Sequence, residues 1–322
     1  MDTRKSVSIV IPNYNGRHLL QEYLPYTYEV VIAAGIIYEI IIVDDGSKDG
    51  SVEFIRSAYP EIKLVVNPEN KGFSYACNRG IEIAQHELIL LLNADVKLTP
   101  GYFDQQWKYF LRWDTFGVMG RIIDMEGDHI LEAALMPKLS GYQIKTHYLY
   151  YSENEKDRML TWYLPVTNAL VNAEKLKKMG GFYKLFETGN GAGRELSVRA
   201  WRLDWKCYYE NQAICRRSAA EFKKSHLYFH DTYFLHAIHL GGFELFAWHV
   251  QIIFADVLPK LLSGQAWILK EYRAVFKNNE AIKRYKIDIK KLMDENDTHM
   301  HLSDIVKKIR ASVQNKNITR FK

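Results

Sequence analysis

Asp44-Asp45-Gly46-Ser47 and Asn93-Ala94-Asp95 each close an uninterrupted apolar run, a place where carboxylates meet polar ligands. Pro12-Asn13-Tyr14-Asn15-Gly16 closes a third run, and Asn67 with Asn70-Lys71-Gly72 closes a fourth. No G-x-G-x-x-G and no G-x-x-x-x-G-K-[ST] is present, so neither a dinucleotide fingerprint nor a P-loop accounts for this clustering. Carboxylates at adjacent strand ends could instead hold ribose or base groups, and a divalent cation bridging a diphosphate. Each motif alone has a plainer reading. Asp after a strand often caps the next helix, and Tyr14 could serve packing alone.

The elements that must position these groups alternate in type. "SVSIVIP", "YEIIIVDDGS", "IKLVVNPEN" and "ELILLLNAD" read as strands, with helices expected from Ser51 to about Tyr59 and over "GFSYACNRGIEIAQ". Strands apolar throughout, separated by helices, indicate a parallel sheet covered on both faces. From about Thr232 the chain becomes an aromatic-rich helical region and then a basic helical tail. A soft boundary near residue 220 divides it into 1–220 and 221–322.

The 322 residues carry a formal charge of +5, held by the tail: from Lys277 onward there are 12 Lys/Arg against 6 Asp/Glu. Cys77, Cys207 and Cys215 form no C-x-x-C pair and read as reduced thiols in a cytosolic setting. The opening "MDTRKSVSIVIPNYNG" shows no secretory leader.

"VSIVIPNYNG", "YEIIIVDDGSKDGS", "NKGFSYACNRGI" and "LLLNADVKLTPGYF" resemble the successive motifs of family 2 glycosyltransferases, inverting enzymes with a GT-A fold. The resemblance covers roughly residues 6–215. It implies that Pro12 and Tyr14 line the base pocket, that Asp44 or Asp45 contacts the nucleoside, that Asn67 belongs to the donor site and that Lys71 lies near the diphosphate. Asn93-Ala94-Asp95 stands where the family has D-x-D, so Asp95 is the expected ligand of Mn²⁺ or Mg²⁺. Asn93 is the neutral variant of rhamnosyltransferase-like members, which points to a deoxyhexose donor.

Beyond that the pattern departs from the family. Asn168-Ala169 replaces Gly-Ala, and Tyr183 replaces an Asp after Gly-Gly-Phe. In "FETGNGAGRELSVRAW" the usual Glu-Asp pair, whose Asp is the catalytic base, falls on Ala192 and Gly193. Neither takes up a proton. The glycine-rich half reads as a loop before a helix, leaving Glu187 and Glu195 as substitute bases, although Glu195 also suits a first-turn structural role. The His that often follows the next strand falls on Arg217, which would serve as a diphosphate clamp.

"LGGFELFAWHVQIIFADVLPKLL" is interrupted by Glu244, His249, Gln251, Asp256 and Lys260, which argues against a membrane span. It fits an interfacial helix anchored by Phe243, Phe246, Trp248 and Phe254, or a helix packed on the domain. The basic tail would suit anionic lipid. Interspersed acids argue against nucleic acid as a partner. The expectation is a GT-A α/β domain with a helical C-terminal extension, cytoplasmic and peripheral on the inner face of the membrane. It would transfer a hexosyl or deoxyhexosyl group from a nucleotide diphosphate sugar to a glycan or lipid-linked acceptor. The alternative is a homologue that binds nucleotide sugar without turnover.

Overall fold

The structure, a computed structural model, describes residues 4–154, 156–186, 188–218 and 226–321. Glu187 and the boundary expected near residue 220 lie outside the described residues.

The first half alternates as its apolar runs dictate: β1 (Val7–Asn13), α1 (Arg17–Ala34), β2 (Tyr38–Asp44), α2 (Ser51–Ala58), β3 (Lys63–Val66), α3 (Phe73–Ile83) and β4 (Leu88–Leu92). β1 and β4 are buried at consecutive positions. Since successive side chains point to opposite faces, both faces of the sheet are covered. There follow β5 (Lys97–Leu98), β6 (Thr115–Asp124), β7 (Ile130–Glu132), β8 (Ala134–Ser140), β9 (Gln143–Tyr151), β10 (Met159–Leu160) and β11 (Asn168–Asn172). Next come α4 (Ala173–Lys178), α5 (Gly189–Arg202) and β12 (Lys206–Arg217).

The main sheet runs β10-β12-β6-β11-β4-β1-β2-β3, with β5 on β12 and β7 on β6. β3, β2, β1 and β4 pair in parallel, and β11 enters antiparallel to both β4 and β6. This mostly parallel sheet brings the carboxyl ends of β1, β2 and β4 side by side. The insertion of β11 places β12, and with it Arg217, on the same rim as β4.

The C-terminal region holds α6 (His226–His239), α7 (Gly242–Ile252), a π-helical turn over Ile253–Val257, α8 (Leu258–Leu262), α9 (Trp267–Lys277), α10 (Asn279–Glu295), α11 (Leu302–Ala311) and β13 (Thr319–Phe321). It is helical as expected, yet firmly joined to the rest. α6 is buried from Phe229 to His239 and packs on α5, while α11 packs on β8. β13 pairs antiparallel with β9, matching Arg320 to Tyr150. The basic tail therefore ends in a strand.

Two expectations about local structure are corrected. The glycine-rich stretch is the first turn of α5, which begins at Gly189 with Thr188 as its N-cap. Trp248 is no membrane anchor: it is fully buried, with its ring against Tyr233 and His236.

Candidate active site

Parallel pairing sets Asn13 opposite Asp44 at the ends of β1 and β2. Asn13 Nδ2 donates to Asp44 Oδ1 at 2.8 Å, and the Ser47 amide donates to Asp44 Oδ2 at 2.9 Å. Asp44, wholly buried, thus braces the turn. Asp45 accepts from Asn67 Nδ2 at 2.8 Å, from the Lys71 amide at 3.0 Å and from the Gly72 amide at 2.8 Å. It ties the β3–α3 loop to the end of β2. Gly46 makes that closure possible: at φ +77° its missing Cβ would fall 2.7 Å from the Glu69 backbone.

The three strand ends open on a cleft of about 470 Å³, lined among others by Pro12, Tyr14, Asp45, Phe73, Asn93 and Asp95. Tyr14, 54 % exposed, presents its ring there, a surface on which a flat base can stack. Asp44 does not line the cleft, and Asn67 acts through Asp45. Lys71 contributes its backbone amide to the site, while its ammonium lies 3.6 Å from Glu69 and 5.5 Å from the Tyr75 ring centre. A larger groove of about 730 Å³ runs between α10 and the turn after α4. No strand end lines it, and Lys178 faces Glu295 at 3.9 Å within it, so the smaller cleft is the functional candidate.

Arg217 is brought to this cleft from the end of β12, its Nε donating to Asp95 Oδ2 at 2.7 Å. Asp95 Oδ1 is buried without a partner. A divalent cation would satisfy that oxygen, and one carboxylate plus substrate phosphates is a common way to hold Mg²⁺. Among the described residues no group of three or more His, Cys, Asp or Glu could hold a metal by itself. The residues therefore fit a cation that arrives with a diphosphate.

The expected position of the base is sealed. A Cβ on Gly193 would sit 2.8 Å from the Leu164 carbonyl oxygen and 3.3 Å from Val166 Cγ1, and Ala192 is 1 % exposed. Gly191 is pressed against Asp231, which accepts from the Thr188 amide at 3.2 Å and from the Thr188 hydroxyl. The glycines let this turn lie flat on its neighbours.

Glu195 is equally out of reach. It is wholly buried, accepting from Arg199 Nη2 at 2.8 Å with His239 Nε2 at 3.4 Å. Arg199 also donates to the carbonyls of Met179 and Gly181, both at 2.6 Å, and its guanidinium stacks 3.8 Å from the Tyr183 ring centre. Glu195 is thus a structural anchor, and as a substitute base it is set aside because nothing outside the fold can touch it. Burial pushes the His239 imidazole down to about 4, against the pull of Glu195.

Sequence reasoning missed Phe73 and Glu132. Phe73 lines the cleft beside the expected Asn70 but carries little chemical signal. Glu132 lies on β7, with its Oε2 shut off from solvent and no hydrogen-bond partner. Burial pushes its carboxyl up to about 7, and the nearby charge of Arg217 pulls the other way. Its one signal was position, an acid inside the strand–turn–strand after Asp95.

Solved structures share this architecture. A GalNAc-T7 structure with UDP, GalNAc and Mn²⁺ aligns at a TM-score of 0.64 and 12 % identity, over 96 % of this chain and 57 % of that one. The mannosyltransferase PcManGT from Pyrobaculum calidifontis, in complex with GDP-Man and Mn²⁺, aligns at 0.53 and 15 % identity over 89 % and 86 %. At such identities the likeness is one of fold. An undecaprenyl-phosphate 4-deoxy-4-formamido-L-arabinose transferase of Pseudomonas savastanoi pv. phaseolicola is 38 % identical over 101 residues, 30 % of each chain. The chain thus spans under a third of the length of the curated relatives it matches. The profile described as Glycosyl transferase family 2 matches residues 8–180, more than half of the chain and all three strand ends of the cleft. The protein belongs to glycosyl transferase family 2.

Proposed function

We propose that the cleft binds a nucleotide diphosphate sugar and that the protein transfers its hexosyl or deoxyhexosyl group, with inversion, to a hydroxyl of a lipid-linked or glycan acceptor. The observation that carries this reading is the convergence of Tyr14, Asp45 and the Asp95–Arg217 pair on one cleft at the strand ends. Tyr14 stacks on the base and Asp45 meets the nucleoside beside the β3–α3 loop it holds. Asp95 would hold Mn²⁺ or Mg²⁺ together with the diphosphate, and the ion when bound neutralises the leaving group's charge. Arg217 meets the diphosphate with a planar pair of donors. The transfer domain is residues 1–220, and 221–322 is an extension docked on it through α6.

A lipid-linked acceptor places the enzyme at a membrane, and the C-terminal region supports that location. The helical run Gly242–Leu262 is long and apolar enough to cross a bilayer, and 17 % of its apolar window is buried. Phe243, Phe246, Val250, Phe254, Leu258 and Leu262 recur every three or four residues, and all are exposed. Exposed Lys270, Arg273 and Lys277 on the adjoining α9 supply the charge that an anionic surface attracts. The face lies in the interface of the cytoplasmic leaflet.

Titration calorimetry with UDP and dTDP, each with and without Mn²⁺ or Mg²⁺, tests the donor site. Micromolar to submillimolar binding, tightened by metal, is expected. No binding of either nucleotide at millimolar concentration would overturn the reading.

A further inference from the structure

The family's usual base position on α5 holds no proton acceptor and has no room for one. If the protein transfers to a hydroxyl, the proton must go elsewhere. Among the described residues, Asp44 and Glu195 are wholly buried, with hydrogen bonds or an ion pair inside the fold. Asp45 already accepts three hydrogen bonds, and Asp95 is engaged by Arg217.

We infer that Glu132 is the general base, taking the acceptor's proton from β7 in place of the missing aspartate on α5. The inference rests on the transfer reading given above. Three observations place it. β7 pairs antiparallel with β6, setting Glu132 opposite Ile122, while Cys215 and Arg217 of β12 pair with Ile122 and Asp124 of the same strand. Glu132 thus stands on the rim that carries Arg217, and Arg217 touches Asp95 in the cleft. Arg217 of β12 acts on Glu132, and the charge of Glu132 in turn pushes up Cys215 of β12 and Tyr163 from the segment after β10. Tyr163 adjoins Leu164, whose carbonyl closes the Gly193 position. Finally, Glu132 is partly exposed, where Glu195 is wholly sealed, and its inward Oε2 has no hydrogen-bond partner in the fold, so its carboxyl is not spent on the structure.

In the step, the acceptor oxygen forms its bond to the anomeric carbon as its proton passes to the Glu132 carboxylate. The bond from the anomeric carbon to the nucleoside diphosphate breaks, and its electron pair leaves on the diphosphate. A carboxyl pushed up to about 7 is matched to this task, being ionised in part near neutral pH and basic enough to take the proton.

The test follows nucleotide release from UDP-glucose, UDP-N-acetylglucosamine and dTDP-rhamnose with water as acceptor, beside calorimetric UDP and dTDP affinity. For the parent, the rate should rise with pH through a limb near 7. Glu132→Gln should lower release by ~10²–10⁴-fold, abolish that limb, and leave nucleotide affinity and melting temperature unchanged. Glu132→Ala should regain part of the rate in formate, which supplies a diffusible carboxylate and excludes a folding defect as the cause. A Glu132→Gln variant that keeps the parent's rate and limb overturns the inference and leaves the transfer reading intact. So does a parent that binds nucleotide and releases none at any pH. A parent that binds no nucleotide overturns both.

Discussion

Arg217 Nε and Asp95 Oδ2 meet at 2.7 Å, with the two side chains 26 % and 31 % exposed. The pair sets a guanidinium against the carboxylate proposed to hold a divalent cation, at the edge of the strand-end cleft. On the proposed function a diphosphate would compete with Asp95 for the guanidinium, and its counter-ion would take the carboxylate that is released. Donor, cation and Arg217 would then be linked.

Asp95→Ala is expected to remove the metal-dependent part of UDP affinity while leaving a weaker metal-independent part. Arg217→Ala should weaken UDP binding with or without metal, by the ~1.5–3 kcal/mol typical of a charge-assisted contact. Calorimetry on the two variants checks both. Metal dependence that survives Asp95→Ala would remove this residue from the cation site.

Restoring an acid on α5 should fail. Gly193→Asp drives its Cβ to within 2.8 Å of the Leu164 carbonyl oxygen, where backbone must give way. Overpacking of this kind costs ~1–3 kcal/mol, before the burial of a charge is added. A melting temperature lower by several degrees, with no gain in nucleotide release, is expected. Faster release at an unchanged melting temperature would show that the site has room after all.

Folding should weaken in acid through the buried histidines of α6. His236 Nε2 accepts from the Ile144 amide at 3.0 Å while Nδ1 meets the Thr232 carbonyl at 2.7 Å, an arrangement that needs the neutral ring. Burial pushes His236 down to about 3, with Arg194, His239 and Lys145 acting in the same direction, while the Thr232 carbonyl opposes. The folded pKa lies below the unfolded one, so the unfolded state binds more protons. The associated stability is complete above pH ~6.5 and drains away as pH falls toward 3. Melting temperature against pH should show this slope, and His236→Gln should flatten it.

The apolar face of α7 and α8 predicts binding to anionic vesicles. Flotation with phosphatidylglycerol-containing liposomes should recover the intact chain and lose it as salt rises. Phe246→Ser with Phe254→Ser should reduce recovery without lowering the melting temperature, because both side chains point outward, at 65 % and 69 % exposure. Equal flotation of the double variant would place attachment elsewhere.

The sequence by itself determined the sheet and the location of the cleft at the strand ends. Both depend on local facts: strands apolar on both faces must lie inside a parallel sheet, and polar residues just past their ends must gather on one rim. It also determined that α5 lacks the family's acid, since that is a matter of residue identity. Tertiary structure alone decided which of two adjacent aspartates faces the cleft, because that turns on partners such as Asn13 and Asn67, brought in from 31 and 22 residues away. Arg217 reached Asp95 across 122 positions only because β11 enters the sheet antiparallel. The glycine-rich run looked like a loop since glycine costs a helix about 1 kcal/mol per residue. Packing reversed that preference: Val166, Leu164 and Asp231, the last 43 positions beyond Thr188, lie where side chains would otherwise project. Glu132 stayed hidden for the same reason, its character being set by a burial and a charge that no neighbouring residue in the chain supplies.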